Sequence, residues 1–385
     1  MDNHEVLPFR IAIPDADVED LRRRLHNTRY PVGLPGDAWS KGVPLDYARY
    51  LVDYWRDEFD WRAAEAKLNE FPQFTTQIDG ARIHFLHVRS THENAIPILL
   101  THGWPGSIVE FMKIIGPLTQ PELHGGETDV AFHVIAPSLP GYAFSELIEG
   151  GVPAVANAWA HLMDRLGYAS YVTQGGDTGA AVSPLVARVD PNHVIGVHTN
   201  GLETFYFGDE SQLKGLSPEE RERVTRDRSD GAAYAMIQGT RGQTLSYALA
   251  DSPVGQLTWI AEKFHEWTDP AKPLPHEAVD IDQLLTNVSL YWFTDCAATA
   301  MENYWYGIHS GTWGRPLETS AIPFAGTRFP GDSSVRAFAE REHNVVQWHE
   351  FDRGGHFAAM EAPDLLVDDI REFARRLAKA NTRPV

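Results

Sequence analysis

Apolar positions near the start of the chain follow a helical period. Val18, Leu21 and Leu25 share one face of a segment that begins at Pro14. Residues 45–68 follow a second helical pattern, rich in Tyr and Trp side chains that bury large surfaces when they pack. We therefore expect a helical N-terminal segment that wraps around a neighbouring domain.

From residue 74 onwards the pattern changes to that of β-strands. Two alternating segments flank Asp79-Gly80, a pair typical of hairpin turns. Short continuous apolar runs then alternate with helical patterns, as in parallel strands buried on both faces. The predicted strands are residues 74–78, 81–88, 96–101, 130–136, 171–174 and 194–199, and the predicted helices are 108–118, 154–166 and 180–189. This alternation predicts an α/β protein with a mostly parallel central sheet and helices on both faces.

The alternation stops near Gly201. The following segment has helical patterns and many aromatic side chains, which predicts a helical lid with an apolar ceiling over the carboxyl ends of the strands. Two strands, 322–328 and 345–351, and a final amphipathic helix, 363–378, complete the pattern. The expected parts are an N-terminal meander wrapping the core (1–90), a first part of the core (91–201), the helical lid (202–312) and a second part of the core (313–385).

Composition excludes several classes of partner. The 385 residues include 33 Lys and Arg against 53 Asp and Glu, a net charge of −20. Nucleic acids and anionic membrane surfaces are bound by basic patches, so neither is an expected partner. The single cysteine, Cys296, cannot form an internal disulfide bond, which fits a reducing compartment. Because we find neither a signal peptide nor an apolar run that could span a bilayer, we expect a soluble cytoplasmic protein.

A Gly-x-Asp-x-Gly motif with Asp177 at its apex follows the predicted strand 171–174 and precedes a helix. Such a strand–turn–helix is the sequence form of a nucleophile elbow, whose small flanking residues let one side chain project into a cleft. Most elbows carry Ser at this position. A carboxylate there can attack carbon and become an ester. The alternative is a glycine-rich turn in which Asp177 only caps the helix.

Two further residues complete a possible nucleophile–acid–histidine order along the chain. His356 follows two glycines after the last predicted strand and would be the base. Asp332, in a turn after the strand before it, is the candidate that orients the imidazole. An acidic turn residue without a role is the alternative for Asp332, and Glu340 and Asp352 compete with it.

The loop after strand 96–101 reads His-Gly-Trp-Pro. The backbone N–H of Trp104 in this loop and that of Thr178 at the elbow would form an oxyanion hole. The alternative is a loop that needs Gly and Pro only for its shape. We interpret His102 as structural.

The chain resembles epoxide hydrolases of the microsomal type within the α/β-hydrolase superfamily. In the N-terminal region the resemblance rests on Asp60-Trp61-Arg62, Leu68-Asn69 and Phe71-Pro72-Gln73-Phe74. Further along it rests on residues 102–107, 138–145, 175–179, 251–255, 291–294 and 354–359. The combination of H-G-W-P-G-S, G-G-D-x-G and R-G-G-H-F is specific to this type, because haloalkane dehalogenases share the Asp elbow but not the N-terminal region.

The resemblance implies an α/β-hydrolase fold with a lid and an N-terminal meander, and it implies Asp177 as nucleophile, His356 as base and Asp332 as acid. It also implies two lid tyrosines that hold the epoxide oxygen, and by motif position these are Tyr234 and Tyr304. The family often has Ser and a basic residue after the position of Thr294, whereas this chain has Asp295-Cys296, so Tyr306 is the alternative to Tyr304.

The expected function is conversion of a small-molecule epoxide, apolar or aryl, to a vicinal diol by water, without cofactor or metal. A haloalkane dehalogenase and an inactive binding protein of the same fold are the alternatives. The identity of the epoxide, its stereochemistry, the oligomeric state (a homodimer is one expectation) and a role in detoxification or in natural-product biosynthesis all stay open.

Overall fold

A computed structural model describes residues 5–36, 39–127, 129–202, 209–226, 231–311 and 314–381. Within these residues one sheet contains nine strands. They are β1 (Leu7–Phe9), β2 (Gln73–Ile78), β3 (Ala81–Val88), β4 (Ile96–Thr101), β5 (Phe132–Pro137), β6 (Tyr171–Gly175), β7 (Val194–Asn200), β8 (Ser320–Arg328) and β9 (His343–Glu350).

The strand order is β1-β2-β3-β5-β4-β6-β7-β8-β9. The first three strands are antiparallel, and from β5 to β9 every neighbouring pair is parallel. This confirms the predicted mostly parallel sheet. Strand β1 was not predicted, because a three-residue strand paired on one side only carries too short an alternation to recognise.

Helices cover both faces of the sheet and form the lid. Before the lid lie α1 (Asp15–His26), α2 (Leu45–Asp57), α3 (Trp61–Leu68), α4 (Met112–Thr119), α5 (Gly151–Arg165) and α6 (Thr178–Val189). The lid region contains α7 (Pro218–Thr225), α8 (Ala233–Asp251), α9 (Pro253–Trp267), α10 (Pro275–Ala278), α11 (Ile281–Phe293) and α12 (Glu302–Ser310). The chain continues with α13 (Arg336–Ala339), α14 (Ala358–Glu361) and α15 (Pro363–Asn381), and short 3₁₀ turns lie at Ile108–Phe111, Pro121–His124, Glu210–Leu213 and Thr299–Met301.

The predicted continuous helix over 45–68 is two helices in the structure. Asp60 separates them, because its carboxylate accepts hydrogen bonds from the backbone N–H groups of Arg62 (2.8 Å) and Ala63 (3.3 Å) and so caps α3. The apolar face continues across the break, since Trp55 and Trp61 are both buried. Periodicity alone therefore could not locate the break.

The lid packs onto the core through aromatic side chains. The ring of Phe264 on α9 stacks on that of Phe357, with 4.1 Å between centroids. Tyr142, in the loop after β5, is fully buried and donates a hydrogen bond to the carbonyl of Ala300 (3.0 Å). The part boundaries proposed above stay a prediction. No helix within the described residues is both long and apolar enough to cross a bilayer.

Candidate active site

The predicted elbow is a sharp turn between β6 and α6. Asp177 has φ 53° and ψ −125°, in a region that side chains other than glycine rarely adopt. A side chain at position 179 would collide with the carbonyl of Thr101 on β4, so only glycine allows the helix to approach the sheet here. The turn leaves the carboxylate of Asp177 on the wall of a cavity of about 970 Å³.

The two oxygens of the Asp177 carboxylate have different partners. Oδ1 accepts hydrogen bonds from the backbone N–H groups of Trp104 (2.9 Å) and Thr178 (2.6 Å), and from the Thr178 hydroxyl (3.0 Å). Oδ2 lies 3.5 Å from Nε2 of His356. The two N–H groups predicted as an oxyanion hole therefore converge on one carboxylate oxygen, while the other oxygen faces the imidazole.

The loop that presents the Trp104 N–H approaches the elbow very closely. A side chain at position 103 would collide with the Asp177 carboxylate, so this position requires glycine. The buried ring of His102 bonds backbone on both sides, accepting from the N–H of Leu139 (3.1 Å) and donating to the carbonyl of Gly103 (3.0 Å). Burial lowers the pKa of His102 to about 4, which favours this neutral form.

Residues of lid helix α11 hold the same loop from the other side. Asn287 donates to the carbonyl of Pro105 (2.7 Å) and accepts from the hydroxyl of Ser107 (2.7 Å). Tyr291 donates to the carbonyl of Gly106 (2.9 Å). Sequence reasoning missed this clamp, because its partners are about 180 residues apart and a buried amide on an apolar helix is the only local signal.

A buried carboxyl group lies beneath the loop. The backbone N–H of Gly103 bonds the carboxyl of Glu110, which packs directly against Gly106. Desolvation, and then the charge of Asp177, raise the pKa of Glu110 to about 8. Sequence reasoning missed Glu110 as well, although a glutamate within the apolar segment 108–118 was a visible signal.

The loop that carries His356 is anchored by backbone hydrogen bonds. The N–H of His356 donates to the carbonyl of Trp267 (2.8 Å), whose indole lies against the imidazole with 4.9 Å between centroids. The N–H of Gly354 donates to the carboxyl group of Asp269 at a distance of 3.0 Å. The N–H of Phe357 donates to the carboxyl group of Glu361, also at 3.0 Å. The loop is therefore held by the end of α9 and by α14.

Asp332 lies in the turn after β8, as predicted. Its carboxylate accepts from the backbone N–H (2.8 Å) and the hydroxyl (2.6 Å) of Ser334. The pKa of Asp332 is raised above its ordinary value because burial outweighs the opposing effects of the Ser334 donors and of the charge of His356. Within the described residues neither oxygen accepts a hydrogen bond from the His356 ring, so the two groups interact electrostatically without direct contact. The competing Glu340 forms an exposed ion pair with Arg336, and Asp352 is exposed.

Tyr234 on α8 and Tyr304 on α12 line the same cavity as Asp177. Their rings are 5.8 Å apart in an edge-to-face arrangement, and a side-chain hydrogen bond links the two hydroxyls. Burial raises the pKa of Tyr304 well above its ordinary value. Tyr306 also lines the cavity, but its ring packs against Gly151, away from this pair. The geometry thus favours Tyr304 over Tyr306.

A parallel sheet of this order, with an acidic elbow at the end of β6 and a helical lid above it, is the architecture of an α/β-hydrolase. Comparison with known proteins agrees with this class. A model of the epoxide hydrolase N terminus matches residues 6–111, and a model of the alpha/beta hydrolase fold matches residues 96–223.

Full-length relatives define the family. A protein of Stigmatella aurantiaca named "Putative epoxide hydrolase" is 46% identical over 381 residues, covering 97% of this chain and 85% of that protein. Epoxide hydrolase 1 of Sus scrofa is 34% identical over 406 residues, covering 97% of this chain and 89% of that protein. The crystal structure of juvenile hormone epoxide hydrolase from the silkworm Bombyx mori superposes with a TM-score of 0.90 at 28% identity, covering 99% of this chain and 96% of that one. The chain therefore belongs to the epoxide hydrolase family of the microsomal type.

Proposed function

We propose that this protein converts an epoxide to a vicinal diol through a covalent ester on Asp177. The observation that carries the proposal is the arrangement around one cavity: a carboxylate at the elbow, an imidazole 3.5 Å from its Oδ2, and a hydrogen-bonded pair of phenols on the lid. An epoxide needs these groups, because its leaving oxygen becomes an alkoxide unless an acid protonates it.

In the first step Oδ2 of Asp177 attacks a ring carbon and the bond from that carbon to the epoxide oxygen breaks. The oxygen takes a proton from the phenol pair of Tyr234 and Tyr304. Phenols remain protonated at neutral pH because their ordinary pKa is about 10, and burial favours the neutral form of Tyr304 further. The product of this step is a hydroxyalkyl ester of Asp177.

In the second step His356 removes a proton from water, and the water oxygen attacks the ester carbonyl. Negative charge develops on Oδ1, which already receives the N–H groups of Trp104 and Thr178. These donors are in position before the charge appears, so they stabilise it without reorganisation. The imidazolium of His356 gives its proton to Oδ2, which leaves with the diol, while the water oxygen stays on Asp177. The second proton of that water is released, and the phenol pair regains its proton from solvent. Asp332 supports the imidazolium through its negative charge.

The cavity supports an apolar or aryl substrate of some size. Aromatic rings surround the reacting groups: Trp104 stacks on Tyr234 with 5.0 Å between centroids, and Trp267 lies against both Tyr234 and His356. An aryl epoxide such as styrene oxide is therefore a suitable first substrate, with an alkyl chloride as the arm that detects a dehalogenase.

The test is a single turnover of styrene oxide in ¹⁸O-water. We expect label in the peptide that contains Asp177 and none in the diol, because the attacking water oxygen stays on the enzyme. The His356→Gln variant should accumulate the ester, visible as an intact mass increased by one epoxide. His193→Gln, at a surface ion pair with Asp190, is the matched control and should turn over like the native protein. Label in the diol, or normal turnover by His356→Gln, would contradict the proposal.

A further inference from the structure

A lysine on lid helix α9 is buried beside the phenol pair. The side chain of Lys263 is only 2% exposed, whereas lysines are among the residues most rarely buried. Its ammonium group pairs with Glu262 (3.0 Å) and Glu266 (2.7 Å), whose side chains are 27% and 36% exposed. Both carboxylates reach solvent, so the same ion pairs could form at the surface. The burial of this charge therefore calls for another reason.

The ammonium group lies over the ring of Tyr234. Its Nζ is 4.8 Å from the centre of that ring and 5.8 Å from the centre of the Trp267 ring. The indole of Trp104 stacks on Tyr234 with an interplanar angle of 10°. Tyr234 therefore has both a stacked indole and an ammonium group in contact with its ring.

We propose that Lys263 is a positioning residue for Tyr234: its buried ammonium fixes the plane of the phenol and makes the hydroxyl a stronger proton donor to the epoxide oxygen. This inference rests on the proposed function. A cation over an aromatic face is attracted by the negative face of the ring. The attraction grows as the phenol gives up its proton and the ring becomes negative, and burial prevents water from screening it. The interaction is therefore stronger in the transition state than in the ground state, which is the condition for acceleration.

Several other titratable groups face Tyr234. The phenols of Tyr142 and Tyr304 interact with it electrostatically, and Asp177 lines the same cavity. The negative charge of Asp177 opposes charge development on both phenols. On the lid side Lys263 holds its ammonium directly over the ring. The carboxylates that pair with it, Glu262 and Glu266, are partly exposed, so solvent screens their negative charge more than it screens the buried ammonium. The ammonium therefore offsets the opposition from Asp177 until that carboxylate is consumed by ester formation.

The experiment separates the two half-reactions. With styrene oxide, we expect Lys263→Met to slow formation of the Asp177 ester by roughly 3- to 30-fold, the range of a buried cation–π interaction. Hydrolysis of the ester should change by less than about twofold, because the phenols do not act in that step. Lys263→Arg keeps the cation and should retain most of the ester-formation rate. Lys113→Met, which removes an ammonium bonded to the carbonyl of Met360, is the matched control.

A spectroscopic readout distinguishes this role from simple packing. Subtracting the tyrosinate absorbance of Tyr234→Phe from that of the native protein gives the absorbance of Tyr234 alone. In Lys263→Met this Tyr234 signal should develop at a higher pH than in the native protein. This measurement needs no turnover. If the native protein did not hydrolyse epoxides, the proposed function would be contradicted. The tyrosinate titration would still test the effect of Lys263 on Tyr234.

Two outcomes would overturn the inference. One is an unchanged tyrosinate titration in Lys263→Met, and the other is equal slowing of both half-reactions. If Lys263→Met lost its native circular dichroism, the double variant Lys263→Gln with Glu266→Gln would take its place. That variant replaces one ion pair by two amides, and the same criteria apply to it.

Discussion

The carboxylate of Asp177 does two tasks with two different oxygens in the proposed mechanism. Three donors bind Oδ1, so that oxygen is the weaker nucleophile and the natural carrier of the oxyanion. Oδ2 lies free of those donors and close to His356. The strained backbone at the elbow enforces this division, because it aims the side chain between the loop of Trp104 and the imidazole.

Local motifs could indicate where the candidate residues Asp177 and His356 lie along the chain, because each of them stands in a recognisable local pattern; their roles stay a prediction. Asp177 and His356 follow strands and stand among glycines that the turns require, and the structure brings them together. The contacts of Asp332 could not be predicted. Its nearest donors belong to Ser334, two residues away, and no local pattern tells whether a turn carboxylate bonds its own turn or a distant ring.

The buried carboxyl of Glu110 leads to a prediction about pH. Its pKa is about 8 in the folded protein and 4.5 when exposed, so the folded state holds the proton more tightly. This difference in pKa adds to the free energy of unfolding. The contribution is fully present below pH 4.5 and is lost as the pH rises through about 8. We expect Glu110→Gln, which keeps the group neutral, to reduce the loss of unfolding free energy between pH 5 and pH 9 by about 2 kcal/mol or more.

Urea unfolding at pH 5, 7 and 9 measures this effect. Glu58→Gln, at an exposed position, is the control and should keep the pH dependence of the native protein. Glu361 has a pKa of about 8 for the same reason, so part of the dependence should remain in Glu110→Gln. An unaltered pH dependence in that variant would show that Glu110 is not protonated in the folded state.

Helix α11 of the lid region forms hydrogen bonds with the loop that follows β4. The helical signals predicted over residues 202–312 include this segment, which is a helix with mostly buried residues. The pattern could not show that two of its polar side chains, Asn287 and Tyr291, bond the three consecutive positions 105–107 in the loop after β4. Hydrogen bonds between segments this far apart depend on the tertiary structure, which the local sequence does not encode.

Replacing Asn287 by leucine tests this link. The substitution leaves the carbonyl of Pro105 and the hydroxyl of Ser107 without their buried partner, and each unsatisfied group costs about 1–3 kcal/mol. We expect Asn287→Leu to lower the free energy of unfolding by about 2–4 kcal/mol in urea. The control is Asn157→Leu, an exposed residue bonded to its own helix, with an expected loss below about 0.5 kcal/mol. Similar losses in the two variants would contradict the clamp.

At the scale of the whole molecule, the cavity extends well beyond the reacting groups. It runs from Asp177 along α6 to Arg188 and onwards to His343 on β9, and residues of α12 also line it. Patterning predicted the lid and the sheet but not the shape of the space between them, since that shape depends on how the lid helices dock. A cavity of about 970 Å³ is larger than a short epoxide requires.

The distal part of the cavity should therefore select for substrate length. Leu185 on α6 lines it, whereas Val189, one turn further along the same helix, does not. We expect Leu185→Trp to lower kcat/KM for an extended aryl-alkyl epoxide by about 10-fold or more, because the indole fills space that the distal group needs. For styrene oxide, which remains near Asp177, the change should be less than about threefold. Val189→Trp should affect neither substrate. Equal losses for the short and the long epoxide in Leu185→Trp would mean that substrates do not occupy the distal cavity.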